Sequence, residues 1–232
     1  MAASLLLSCL QAQIGETPIT PLKPKLITPI QAVVPLSLRN SSLPDQKVVA
    51  KVQVNGSGMV EDLVILEATH IDLVNRADRL IRKAIFDPGD VSIGEAVRFE
   101  LILPFTYPAD AGMTNKSTFD DVKLTIDSVT DNDRSLALHS PEELDAPLKV
   151  IDQGTVYVPE NESGERIEGT AKVEFYVNHE GEVRLPRVVS STDDEVSLAA
   201  LSSIEDMRFT PPVFEGSPAV TQVRMPFTSK KE

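Results

Sequence analysis

Cysteine is nearly absent from the 232-residue chain. The single Cys9 excludes an intramolecular disulfide and any zinc site built from cysteines. Clustered positive charge is also missing: no group of Lys and Arg exceeds two or three residues, and 35 acidic residues against 22 basic leave a net charge of −13. Without a basic stripe to neutralise phosphates, nucleic acid and anionic membrane surfaces are excluded as partners. The three histidines, His70, His139 and His179, lie far apart, and none stands at i, i+4 from a second ligand on a helix. His179 falls in a hairpin turn, where it is expected to be solvated.

Catalytic signatures are equally scarce. His139 and Ser140 are neighbours without a nucleophile elbow. Asn55-Gly56-Ser57-Gly58 is glycine-rich, but it carries no Lys and leads into a strand, whereas a phosphate loop opens a helix. Asp131, Asp133, Ser135 and Glu142 have calcium-loop spacing, but Leu136 stands where the sharp turn needs Gly. Ser140-Pro141-Glu142-Glu143 reads instead as a helix start, with Ser140 capping and Glu143 closing the box. These residues support no enzyme, cofactor, metal or small-molecule substrate. The row Arg76, Arg79, Arg82 and Lys83 reads either as a contact patch for an acidic partner or as a solvated helix face.

No apolar run reaches the roughly 20 residues that cross a bilayer. Ala2 to Leu10 form a short, largely apolar stretch, and Ala12 supplies a small residue behind it. Residues 1–14 therefore read as an export signal. Leu6-Leu7-Ser8-Cys9 gives a second reading, a lipoprotein box with Cys9 as the lipidated residue. Residues 15–34 form a proline-rich linker, with Pro18, Pro21 and Pro24 at a spacing that favours polyproline II.

What the chain does contain is a long internal repeat. Shifted by about 123 positions, Gly58 falls on Gly181, Val60 on Val183, Ala77 on Ala200 and Ile81 on Ile204; Phe86-Asp87-Pro88 falls on Phe209-Thr210-Pro211. With a one-residue slip, Pro104-Phe105-Thr106 falls on Pro226-Phe227-Thr228. That distance exceeds the roughly 20–50 residues of solenoid repeats and points to a duplicated domain.

Each copy has the same local pattern. Val48, Ala50, Val52 and Val54 alternate with Val49, Lys51, Gln53 and Asn55, and Ala171, Val173, Phe175 and Val177 alternate with Lys172, Glu174 and Tyr176, which predicts strands with one buried face. Asn55 to Gly58 and Asn178 to Gly181 supply hairpin turns. Second strands follow over 59–67 and 182–190. Leu73, Ala77, Leu80, Ile81 and Ala84 form one helical stripe, with Asp72 as its expected cap. Val196, Ala200, Ile204 and Met207 form the other, after Asp193 and Asp194. Phe-x-Pro ends each helix. Phe99, Leu101, Leu103 and Phe105, and then Thr221, Val223, Met225 and Phe227, alternate as last strands. The expected fold class is α+β, with two tandem modules, each a three-stranded antiparallel sheet with a helix packed on one face.

Several motifs resemble the C-terminal domain of TonB-type energy transducers. They are Val158-Pro159, the run Arg166 to Val177, Gly181-Glu182-Val183, Met207 to Pro211, and Val223 to Phe227. The first copy keeps Val34-Pro35, Leu38-Arg39, Gly58, Phe86-Asp87-Pro88 and Pro104-Phe105 and is more diverged. Both copies have Val before Pro where the family has Tyr. The modules are expected at 35–108 and 146–230, joined by an acidic connector at 109–145 in which Val122, Leu124 and Ile126 alternate like a strand. The resemblance implies a periplasmic, non-enzymatic domain that pairs an edge strand with a short peptide of an outer-membrane transporter. Carried over residue by residue, it points to Val220, Gln222 and Arg224 on the last strand; their counterparts are Val97 or Arg98, Glu100 and Ile102. The family's membrane-spanning helix and long spacer have no match here. The alternative is a structural protein whose sheet edges are paired internally or in a homodimer.

Overall fold

The computed structural model describes residues 24–38, 46–89, 96–107 and 135–230. The export signal with Cys9 and Ala12, Pro18 and Pro21, Arg39, the alternation at Val122, Leu124 and Ile126, and Asp131 and Asp133 lie outside the described residues.

The first sheet is antiparallel and three-stranded. β2 (Lys47–Val54) lies between β3 (Val60–Ala68) and β5 (Val97–Pro104). The alternation of β2 turns Val48, Ala50, Val52 and Val54 into a fully buried face. Against it pack Leu73, Ala77 and Ile81 of the helical segment that contains α1 (Val74–Ile81). Asp72 was the expected cap, but the acceptor is His70, whose Nδ1 takes the Asp72 N–H at 3.1 Å and opens a short 3-10 turn, Ile71–Leu73. The Asp72 carboxylate instead accepts the Ser37 hydroxyl.

Part of the expected linker belongs to this unit. β1 (Lys25–Leu26) pairs with β4 (Phe86–Asp87), and the Val34 N–H reaches the Thr106 carbonyl. Ala32 and Val34 are buried, because the apolar residues between the prolines find the sheet's edge.

The second sheet repeats the arrangement and enlarges it. β8 (Gly169–Val177) lies between β9 (Val183–Ser191) and β12 (Ser217–Ser229), with α2 (Asp194–Glu205) covering the face of Val173, Phe175 and Val177. The Asp193 carboxylate caps α2 by accepting the Glu195 N–H at 2.8 Å. Three strands were expected and five are present among the described residues. β6 (Ala137–His139) adds in parallel to Ala219–Thr221, and β11 (Val213–Phe214) forms a hairpin with the start of β12. β7 (Val150–Asp152) pairs with β10 (Arg208–Phe209), as β1 does with β4. Ser140–Glu143 makes a turn and no helix. The Glu143 carboxylate still returns to the Ser140 N–H at 2.8 Å, the half of the capping box that needs only one turn.

One detail recurs at the repeat spacing. Gly58 and Gly181 both close their hairpins at positive φ, 77° and 83°, and their carbonyls accept the N–H of Phe86 and Phe209. A Cβ would stand 1.7 Å from the Phe86 carbonyl oxygen at Gly58, and 2.0 Å from that of Phe209 at Gly181. Asn55 and Asn178 brace the two turns alike, each Oδ1 accepting two main-chain N–H groups.

The units meet along β3, which β9 and the segment of β6 approach. Leu185, in a β-bulge of β9 at φ 52°, is buried there with Tyr176 and Val220 in the first unit's core. Its N–H donates to Asp62, and Arg98 donates to the carbonyls of Leu185 and Pro186 at 3.1 and 2.7 Å. Leu136, just before β6, bridges to Ala68 at the end of β3, so one short segment ties the two sheets.

Candidate functional site

β12 is the longest strand among the described residues, and its two sides are treated differently. Over Thr221–Ser229 it pairs with β8. On the other side β6 takes only Ala219–Thr221. Beyond Thr221, β8 is its single hydrogen-bonded neighbour among the described residues, which leaves a row of backbone donors and acceptors at a sheet edge. Proline suits such an edge, because it offers no N–H. In β5 the Phe105 N–H turns inward to the Gln46 carbonyl, so the Pro104 nitrogen faces outward, and Pro226 is the corresponding residue of β12.

The residues expected to contact a partner fall on one face of β12 but in three settings. Val220 is fully buried in the core between the units, opposite Leu138, so its side chain is already occupied. Gln222 is half-buried opposite Tyr176. Arg224 is exposed, with its Nε 2.6 Å from Glu174 Oε2. The face thus emerges from under the first unit as the strand proceeds, which alternation alone does not reveal. Of the counterparts in β5, Val97 is half-buried, Glu100 and Ile102 are exposed, and Arg98 is spent on holding the units together.

Sequence reasoning missed Glu174. Its side chain is only 3% exposed, yet it lies between two guanidinium groups. Burial pushes its carboxyl up, but hydrogen bonds and charge from Arg224 and Arg187 outweigh that and hold it below the usual carboxylate value. Arg187 takes Oε1 and Arg224 takes Oε2, so Glu174 anchors one cation from each neighbouring strand. The signal lay in the register: the three residues are cross-strand partners.

His179 is half-buried, less exposed than its turn suggested. It lines a groove of about 320 Å³ between the β8–β9 hairpin and α1, with Asp78, Arg82 and Glu182. Burial lowers its pKa, against the carboxylates of Glu180 and Glu182. In the Arg row, Arg82 pairs with Asp78 at 2.9 Å and the Arg79 Nε donates to the Asn75 carbonyl. No group of three metal-ligating side chains occurs among the described residues, and no helix there is long and apolar enough to cross a membrane.

No curated protein matches the chain. A solution NMR structure of the TonB C-terminal domain from Pseudomonas aeruginosa is similar at 22% identity, covering 38% of this chain and 90% of that one, with a TM-score of 0.30. Residues 155–228, which carry β8, β9, α2 and the open length of β12, match the sequence profile of the family described as the Gram-negative bacterial TonB protein C-terminal.

Proposed function

We propose that the chain is a tandem pair of TonB C-terminal-like modules, exported to the periplasm, and that it binds an extended segment of a partner protein along the open edge of β12. The partner class is a peptide strand, such as the exposed segment of an outer-membrane transporter, and the role is coupling to energy-dependent transport. The observation that carries this reading is the edge itself, which has no strand partner but β8 beyond Thr221 among the described residues and lies within the segment that matches the family profile. Backbone pairing would supply affinity there, and Gln222 and Arg224 would supply selectivity. The matching hairpin clamps at Gly58 and Gly181 support the tandem part of the reading.

The family is not a catalytic one, and binding needs no chemistry beyond hydrogen bonding. The other reading, that the edges are consumed internally, finds support only where β6 covers Ala219–Thr221. Titration of the isotope-labelled full chain with transporter-derived peptides separates the two. Saturable amide shifts along Gln222–Thr228, with new protection from exchange, are expected. An edge that stays unperturbed, in a chain whose scattering shows a dimer, would establish the internal or self-paired alternative.

A further inference from the structure

The cleft between the docked sheets holds more positive charge than its partners neutralise. The cleft, of about 240 Å³, is lined by Lys51 and Arg98 from the first unit and by Glu174, Tyr176, Leu185 and Arg187 from the second. Three of these are cations and one is an anion. Glu174 is already committed, with both oxygens taken by Arg187 and Arg224. Lys51 reaches only the Tyr176 phenol oxygen, at 3.0 Å, with its ammonium over the same ring. Arg98 donates to the Gln53 amide oxygen and to two main-chain carbonyls.

The hydrogen-bond partners of Lys51 and Arg98 are thus neutral. The nearby Asp62 carboxylate is engaged by Arg82, Arg184 and the Leu185 N–H. Glu100, opposite Lys51 in register, is exposed and forms no part of the wall. Two half-buried cations held by neutral oxygens, beside a third, form an unusual site on a chain of net charge −13. Burial and then the charge of Arg187 lower the Arg98 pKa, against Asp62, Tyr176 and Glu174. An ammonium that carries three donors and a guanidinium that carries five suit the oxygens of a tetrahedral anion.

From this geometry we propose that the inter-unit cleft is a binding site for a small phosphate-type oxyanion, held by Lys51, Arg98 and Arg187 against the Tyr176 hydroxyl. The anion bridges the units, since Lys51 and Arg98 come from one sheet and Arg187 from the other. The anion site shares Glu174 with Arg224 of the β12 edge; Lys51→Met touches only the anion site and keeps its test apart from the peptide titration.

The test is a titration of the full chain with inorganic phosphate against chloride at constant ionic strength, read by amide shifts. Saturable shifts at Lys51, Arg98, Tyr176 and Leu185 to Arg187 are expected, with a rise in thermal midpoint. Lys51→Met should weaken binding by about tenfold, the loss of one charge-assisted hydrogen bond. Glu174→Gln should act in the opposite direction and tighten it, because it removes the cleft's one negative charge. These opposed signs keep the test informative if either variant also changes stability. Shifts that scatter over the surface and grow linearly with phosphate, or equal binding by all three proteins, would overturn the proposal.

Discussion

At the scale of single residues, Gly58 and Gly181 are fixed by contact as well as by conformation. A side chain at positive φ costs about 1–2 kcal/mol. Here the added carbon would also collide with a carbonyl oxygen, Phe86 at one site and Phe209 at the other. We expect Gly58→Ala and Gly181→Ala each to lower unfolding free energy by at least about 2 kcal/mol in urea titrations. A loss below about 0.5 kcal/mol, the size of an ordinary surface change, would show that the clamp yields freely. The repeat made these glycines visible in the sequence and the hairpin explained their φ. The close approach of Phe86 and Phe209 was not legible, because it depends on where the chain returns after the helix. Thr221 offers the converse case. It is fully buried and its hydroxyl has no hydrogen-bond partner among the described residues. A buried hydroxyl without a partner costs about 1–3 kcal/mol, so Thr221→Val should leave the strand in place and raise the urea midpoint.

At the scale of elements, alternation and turn chemistry located the six main strands and both helices, because each has one buried face and a local period. What they left out was set by distant partners. β6 is three residues long, and no alternation announces it; it exists because β12 and Ala68 offer it hydrogen bonds. The cap of the first helical segment was misassigned to Asp72 because a carboxylate is the commoner acceptor, whereas the chain turns so that His70 Nδ1 reaches back. The two cap sites make a paired test. Asp193→Ala should cost about 1 kcal/mol by removing the α2 cap, while Asp72→Ala should change stability by much less, since it loses only an exposed hydrogen bond to Ser37. Equal losses would mean that Asp72 supports its helix after all. The β9 bulge is a third case. Leu185 is buried in the other unit's core at a strained φ, so Leu185→Ala should cost about 2–5 kcal/mol and loosen the contact between the units. Urea unfolding would then show two transitions in place of one.

For the whole molecule, the ionised groups that join its parts set its response to acid. His179 faces Asp78 of α1 and Arg82 just past its end across the groove, with Glu180, Glu182 and Arg184 on its own hairpin. Burial depresses its pKa below 6.5, so the fold favours the neutral ring; that contribution is present above 6.5 and declines as pH falls through the lower folded value. Glu174 and Glu182 follow the same sign lower on the scale. For each, burial raises the carboxyl, but Arg224 and Arg187 in one case, and Arg208 and Arg184 in the other, bring it below 4.5. Their contributions are present above 4.5 and fail as pH drops through the depressed values. Glu205 opposes them: burial and then Asp62 raise its carboxyl, so its contribution is present below 4.5 and is lost as pH rises. Two depressed carboxylates at the strand junctions outnumber this one at the end of α2. Stability should therefore fall in two steps on acidification, a shallow one below 6.5 and a steeper one below 4.5. His179→Gln should remove the first step and leave the second, and Glu174→Gln should shrink the second and leave the first. A single step, unchanged by either substitution, would place the acid sensitivity outside the junction between the units.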